Sequence, residues 1–279
     1  MSSYQTKINR YKKIIGTLIF IIVGMGSILV GLYLKMKTME PAVIEGPTIE
    51  IETAPKGTAV GKIAIIIDDF GYRNDAVSDG FLNLDAHLTY AIIPGHKHSR
   101  AMAKTADSKG YEVMIHMPMG TTIPSIGEEE YRIKTSMTSR EIEQRVEKVL
   151  LHLPEAIGMN NHQGSNATTD KRVMNVLGTV LKQNGKYFLD SRTTKNTQAE
   201  MIMRNLHVPT GRRHVFLDND FDEDLIRLQL HELAEKAKKQ GYAVGIGHAK
   251  KHTLNVLQDE IPKLKEENLE FVFISEIVH

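Results

Sequence analysis

The chain has 279 residues, 35 Lys and Arg against 34 Asp and Glu, and a formal charge of +1. Its 41% hydrophobic and 25% charged residues are those of a folded protein, which excludes wholesale disorder. Near-neutrality argues against a nucleic-acid partner, which selects for basic excess. With no cysteine, disulfides, thiolate metal sites and cysteine nucleophiles are excluded together, so a metal ion would have to sit on His, Asp or Glu.

In chain order, residues 14–34 (IIGTLIFIIVGMGSILVGLYL) carry no charge and match the roughly 20 apolar residues that span a bilayer as a helix. Lys7, Arg10, Lys12 and Lys13 precede this run without an intervening acid, and Lys35 and Lys37 follow it. The expectation is a cytoplasmic tail over 1–13, a single transmembrane helix over 14–34 and a domain outside the cytoplasm, in the cell membrane. A cleavable signal peptide is the rival reading, but the apolar run is long for one and no small-x-small cleavage site follows it. Residues 35–60 mix Pro, Gly, Thr and Glu without apolar periodicity and read as a linker, leaving 61–279 as one domain.

Within that domain, short apolar runs without polar alternation read as buried strands: 62–67 (KIAIII), 88–93, 112–115, 156–159, 187–189, 214–217, 242–246 and 271–274. Helical stretches fall between them at 139–151, 169–183, 221–240 and 253–267. Strand–helix alternation implies a parallel sheet with helices around it, and seven or eight units favour a barrel over an open sheet.

Polar residues then follow strand after strand. KIAIII runs into Asp68 and Asp69, EVMI into His116, AIGM into NNHQGS with His162, YFL into Asp190 and Arg192, HVFL into Asp218, and YAVGI into Gly247 and His248. In parallel α/β folds these strand ends share the face where active sites are built. One Asp there is ordinarily a turn or cap residue and one His a structural residue, yet several strands converging on one rim need a shared reason. Two adjacent acids and two imidazoles suit a divalent metal with open positions, a neighbouring carboxylate as base, and a His on the opposite side as acid. His96 and His98 could line the same cleft, and Lys195, Lys250 and Lys251 could serve an anionic substrate. No G-x-S-x-G, H-E-x-x-H or phosphate-binding glycine loop is present.

The ordered strings IAIIIDDFG, HMPM, GMNNHQGS, FLDSRT, VFLDND and GIGH resemble the divergent polysaccharide deacetylases, a distant branch of the NodB-type carbohydrate esterases, from about residue 62 to 279. The resemblance implies an irregular (β/α) barrel of about seven strands that holds a divalent metal, Zn²⁺ foremost, and hydrolyses N-acetyl groups of an envelope polysaccharide. It casts Asp68 as general base, Asp69 as metal ligand, Asp190 and Arg192 as residues orienting the base, and His248 as general acid. The family's H-x-x-x-H ligand pair is absent, so His116 is joined by His162 from the next strand as the remaining ligands. Asp218 has no counterpart and is open between loop cap and substrate contact. The alternative function is a catalytically inactive carbohydrate- or protein-binding module on the same barrel; a metallohydrolase acting on phosphate esters is a third class.

Overall fold

The computed structural model describes residues 59–120 and 127–279. The tail, the transmembrane span and all but the last two residues of the predicted linker lie outside them. Among the described residues no helix is long and apolar enough to cross a membrane.

Nine parallel strands make one sheet: β1 Gly61–Phe70, β2 Leu88–Ile92, β3 Glu112–Met119, β4 Gly158–Gln163, β5 Tyr187–Asp190, β6 Thr210–Arg212, β7 Val215–Phe216, β8 Tyr242–His248 and β9 Leu269–Phe271. Their order is β6-β5-β4-β3-β2-β1-β8-β7, with β9 paired to the start of β1. The two ends of that order are consecutive in sequence. The backbone N–H of Arg213 donates to Asp190 at 3.0 Å on one side, and that of the next residue, His214, donates to Val244 at 2.8 Å on the other. One stretch therefore bridges β5 and β8 and curls the sheet back on itself, so the eight strands of the path occupy seven positions.

Helices cover the outside: α1 Ala76–Phe81, α2 Ser99–Ser108, α3 Ser139–His152, α4 Ser165–Thr169, α5 Lys171–Gln183, α6 Ala199–Leu206, α7 Glu223–Gln240 and α8 Lys251–Glu266. Helices α3, α5 and α7 begin where the sequence supplies a side-chain cap. Thr138 and Glu141 form a capping box ahead of α3, and Asp222 accepts from the N–H groups of Asp224 and Leu225 at the start of α7. The helix expected over 169–183 is α5, which starts two residues later because Asp170 is extended (ψ 109°) and caps it through the N–H groups of Arg172 and Val173; the short α4 ends just before it at Thr169.

Strand parity separates two cores. Ile63, Ile65 and Ile67 face outward into the cluster shared with the helices, whereas Ala64 and Ile66 face inward with Ala91, Met114, Leu189, Val244 and Ile246. With both faces covered, β1 reads as an unbroken apolar run. Gly158 lies on the inner side of β4, and a Cβ there would sit 2.2 Å from the Tyr187 ring, so the missing side chain makes room for that ring. The inner floor is closed by Glu112, which accepts from Thr89 Oγ1 at 3.0 Å, Tyr187 Oη at 2.7 Å and the Ser275 N–H at 3.3 Å.

Candidate metal centre

The inward parity that carries Ala64 and Ile66 also carries Asp68, two residues further along β1. By the same step Met114 leads to His116, Gly158 to Asn160 and His162, and Ile246 to His248. The strands run two to four residues beyond their apolar segments, so these polar groups stand on the last inward rungs of the barrel rather than in loops after it. Asp69 should face outward. Its backbone takes the left-handed region instead (φ 67°), at the register irregularity between Ile67 and Phe70, and this brings the second carboxylate into the same cup. Such a conformation in a non-glycine residue costs about 1–3 kcal/mol, which the surrounding contacts must offset.

Asp69, His116 and His162 present one ligand atom each within 4.8 Å of one another. His116 Nε2 is 2.9 Å from His162 Nδ1, and each nitrogen is 3.4 Å from Asp69 Oδ1. A triangle with sides of 2.9, 3.4 and 3.4 Å has a circumradius of about 1.9 Å, just inside the roughly 2.0–2.2 Å of Zn–N and Zn–O bonds. Asp69 Oδ1 is buried with no hydrogen-bond partner, as an oxygen reserved for a cation would be. The donor set and its spacing fit a divalent ion.

The residues around this triangle fix its chemistry. Asn160 Nδ2 donates to Asp68 Oδ1 at 2.8 Å, and its Oδ1 lies 2.7 Å from His116 Nδ1. An ionised Asp68 can only accept, so Asn160 must turn its amide nitrogen that way. Its oxygen then takes the proton on His116 Nδ1, leaving Nε2 as the ligating nitrogen. On β8, where it pairs in register with Asp68 of the neighbouring strand, His248 has its Nε2 4.0 Å from Asp69 Oδ2. Its Nδ1 is 2.8 Å from Asp218 Oδ1, its backbone N–H donates to Asp218 Oδ2 at 2.7 Å, and Thr253 Oγ1 donates to the same oxygen at 2.6 Å. Asp218 is therefore neither a loop cap nor exposed to substrate; it is buried and holds His248.

Burial raises the pKa of Asp68 against the nearby imidazoles. Burial also opposes ionisation of Asp69, but the close approach of the His116 ring and the charge of the three histidines outweigh it and hold Asp69 below the usual carboxylate range. Without metal, burial works against a charged His116, yet Asp68 and Asp69 together push it up to about 9. Burial and the charge of His116 push His162 down to about 4. Burial likewise opposes protonation of His248, and Asp218 overcomes it, raising His248 above its ordinary value.

Asp190 is buried beyond the rim, where its Oδ1 accepts from the backbone N–H of Arg192 at 2.8 Å. The hydrogen bond to the Asp68 carboxylate comes from Asn160. Arg192 lines the cavity of about 480 Å³ above Asp68, His116, His162 and His248, together with Arg213 and Phe216. His96 is outside the triangle but near it: its Nε2 lies 3.2 Å from Glu128 Oε1, and the other oxygen of that carboxylate lies 3.9 Å from His162 Nε2, whereas His98 precedes α2 without capping it through its side chain. Lys250 lies over the Phe221 ring. Asn160 and Arg213 received no role from sequence. Asn160 is two residues before His162 on a strand and so shares its face, a signal that parity supplies. Arg213 has no such signal.

A parallel (β/α) barrel with a histidine–carboxylate cup at the C-terminal ends of its strands defines a class, and similarity to known proteins narrows it. The divergent polysaccharide deacetylase model matches residues 65–278, and the chain belongs to that family. It is 36% identical over 204 residues to the uncharacterized protein YibQ of Escherichia coli (strain K12), covering 73% of this chain and 63% of that protein. It is 35% identical over 211 residues to an uncharacterized protein of Haemophilus influenzae, covering 75% of this chain and 74% of that one. The crystal structure of uncharacterized protein ATU2773 from Agrobacterium tumefaciens superposes with a TM-score of 0.72 at 18% identity, covering 80% of this chain and 91% of that one, which places the two in the same fold.

Proposed function

We propose that this protein is a metal-dependent hydrolase that removes N-acetyl groups from an envelope glycan. The observation that carries the reading is the Asp69–His116–His162 triangle, with Asp68 and His248 beside it as register partners on adjacent strands. Asp69 Oδ1, His116 Nε2 and His162 Nδ1 would hold the ion. Bound there, a divalent cation such as Zn²⁺ supplies Lewis acidity that polarises an amide carbonyl and acidifies a water molecule.

The chain's own groups supply the proton transfers. Asp68 accepts the proton of the attacking water, and its burial makes it a stronger base than an exposed aspartate. Asn160 fixes its orientation and, through the same amide, the tautomer of His116. His248 donates a proton from Nε2 to the departing amine, and Asp218, holding Nδ1, keeps the ring charged until then. Acetate and a free amine leave. The charge-free run at 14–34 with its basic flank supports a membrane anchor that places the barrel outside the cytoplasm.

The test is metal content of the full chain together with acetate release from chitooligosaccharides and peptidoglycan fragments. Metal uptake with acetate release, lost in Asp68→Asn while the metal is retained, is the expected result. A chain that takes up no divalent ion under any loading condition would overturn the proposal, and metal uptake without acetate release from any acetylated sugar would leave only the binding module.

A further inference from the structure

Two arginines form the wall between the metal cup and a neighbouring groove. Arg192 and Arg213 line the cavity of about 480 Å³ that contains Asp68 and the histidines, and they also line a second cavity of about 620 Å³. The rest of that second lining includes Arg212, His214, Lys236 and Lys239, and among the described residues no acidic side chain lines it. In a chain with a formal charge of only +1, such a concentration is a matter of placement rather than composition.

Part of this charge is already committed. Arg212 pairs with Glu200 at 3.4 Å and Lys236 with Glu232 at 3.1 Å. Among the described residues Arg192, Arg213 and Lys239 make no ion pair within 4 Å. Arg213 is held in place without using its charge: Nε donates to the Ser191 carbonyl at 2.8 Å, Nη2 donates to the Arg192 carbonyl at 3.0 Å, and the guanidinium lies 4.8 Å from the centre of the Phe216 ring. Two of its five N–H donors are thereby used and three remain. Burial and the like charge of Arg192 both disfavour its protonated form, while Asp190 and Asp68 offset this from a distance. A partly buried, rigidly mounted guanidinium next to a second one is costly without an anion and is a ready bidentate site for one.

We infer that the substrate is an anionic glycan, with a carboxylate or phosphate substituent seated between Arg192 and Arg213 and the adjoining residue extending along the groove toward Lys239. This specifies the substrate of the site proposed above and rests on that reading for where the N-acetyl group lies. The two cavities share Arg192 and Arg213, so an oligosaccharide held at that pair is placed to extend into both.

The experiment measures binding of the metal-loaded full chain to three N-acetylated oligosaccharides of equal length, one neutral, one bearing carboxylates and one bearing phosphates. The anionic sugars should bind roughly tenfold or more tighter at low salt, the range of one charge-assisted pair of hydrogen bonds. That preference, read as the ratio of anionic to neutral affinity within each folded, metal-loaded variant, should shrink to less than about threefold in Arg213→Gln/Lys239→Gln. Whichever anionic arm binds more tightly identifies the substituent. Equal affinity for neutral and anionic sugars, or a preference that survives the double substitution, would overturn the inference, as would a short single-stranded DNA that competes as well as the anionic sugars. The two readings fail differently: an anionic preference without acetate release leaves this inference standing and removes the deacetylase, whereas equal acetate release from all three sugars does the reverse.

Discussion

Asp218 grips His248 at two points, accepting from the ring Nδ1 at 2.8 Å and from the same residue's backbone N–H at 2.7 Å. The double contact fixes both where the ring stands and which nitrogen faces the cup. Asp218→Asn retains the shape but turns an acceptor into a neutral group that supports the imidazolium poorly. Acetate release should fall about 10–100-fold, the usual cost of losing such a partner. Asp218 raises the pKa of His248, so its loss lowers that pKa, and the alkaline limb of the pH–rate profile should move to lower pH while metal content stays the same. A pH profile identical to wild type would show that His248 is not the acid.

Asn160→Leu removes the bridge between Asp68 and His116 at little change in volume. Asp68 then loses its amide donor, and His116 Nδ1 loses the acceptor that reserves Nε2 for the ion. Metal affinity should weaken about 10–100-fold, measured by competition with a chelating dye, and acetate release should fall further than metal loss alone explains. Unchanged metal affinity would mean that the bridge does not set the tautomer.

Much of this site is legible in the sequence because apolar runs ending in Asp and His mark strand ends, and strand ends in a parallel barrel converge. What the sequence hides is direction. The apolar run of β3 stops at Ile115, yet the strand continues through His116 to Met119, since a polar residue facing a cup still makes its ladder hydrogen bonds. Adjacent Asp68 and Asp69 should point to opposite faces, and only the left-handed backbone of Asp69 reconciles them. Partners distant along the chain are hidden for a different reason: Asn160 is 92 residues from Asp68 and Asp218 is 30 from His248, so neither pairing leaves a local pattern. The strand over 210–212 is missed because a three-residue strand containing Gly211 carries no apolar period.

At the opposite end of the barrel, Glu112 offers a stability test separate from the chemistry. Its carboxylate accepts from Thr89, Tyr187 and the Ser275 backbone, so it fastens the C-terminal segment across the floor. Glu112→Gln replaces one accepting oxygen with an NH₂ group that faces donors. Unfolding free energy should drop by about 1–3 kcal/mol in urea titrations, with acetate release per folded molecule unchanged. A loss of activity at full stability would indicate that the floor communicates with the cup.

Removing the metal should give the protein a stability maximum near pH 6.5. The folded pKa of His116 is about 9 against an ordinary 6.5, so its contribution is complete below 6.5 and is lost as pH rises through 9. His162 goes the other way: its folded pKa is about 4, so between 6.5 and 4 the unfolded chain binds a proton that the folded one refuses, and stability falls as pH falls through that window. Asp69, held below its ordinary value, adds a further loss at still lower pH. Urea midpoints of the chelator-treated full chain across pH 4–9 check the shape. Metal uptake at pH 7 must displace the proton on His116, because the ion takes the Nε2 lone pair, whereas His162 is already neutral. Titration calorimetry in buffers of different ionisation enthalpy should therefore report about one proton released per ion at pH 7, declining toward zero above pH 9. Uptake with no proton released at pH 7 would mean that His116 is not a ligand.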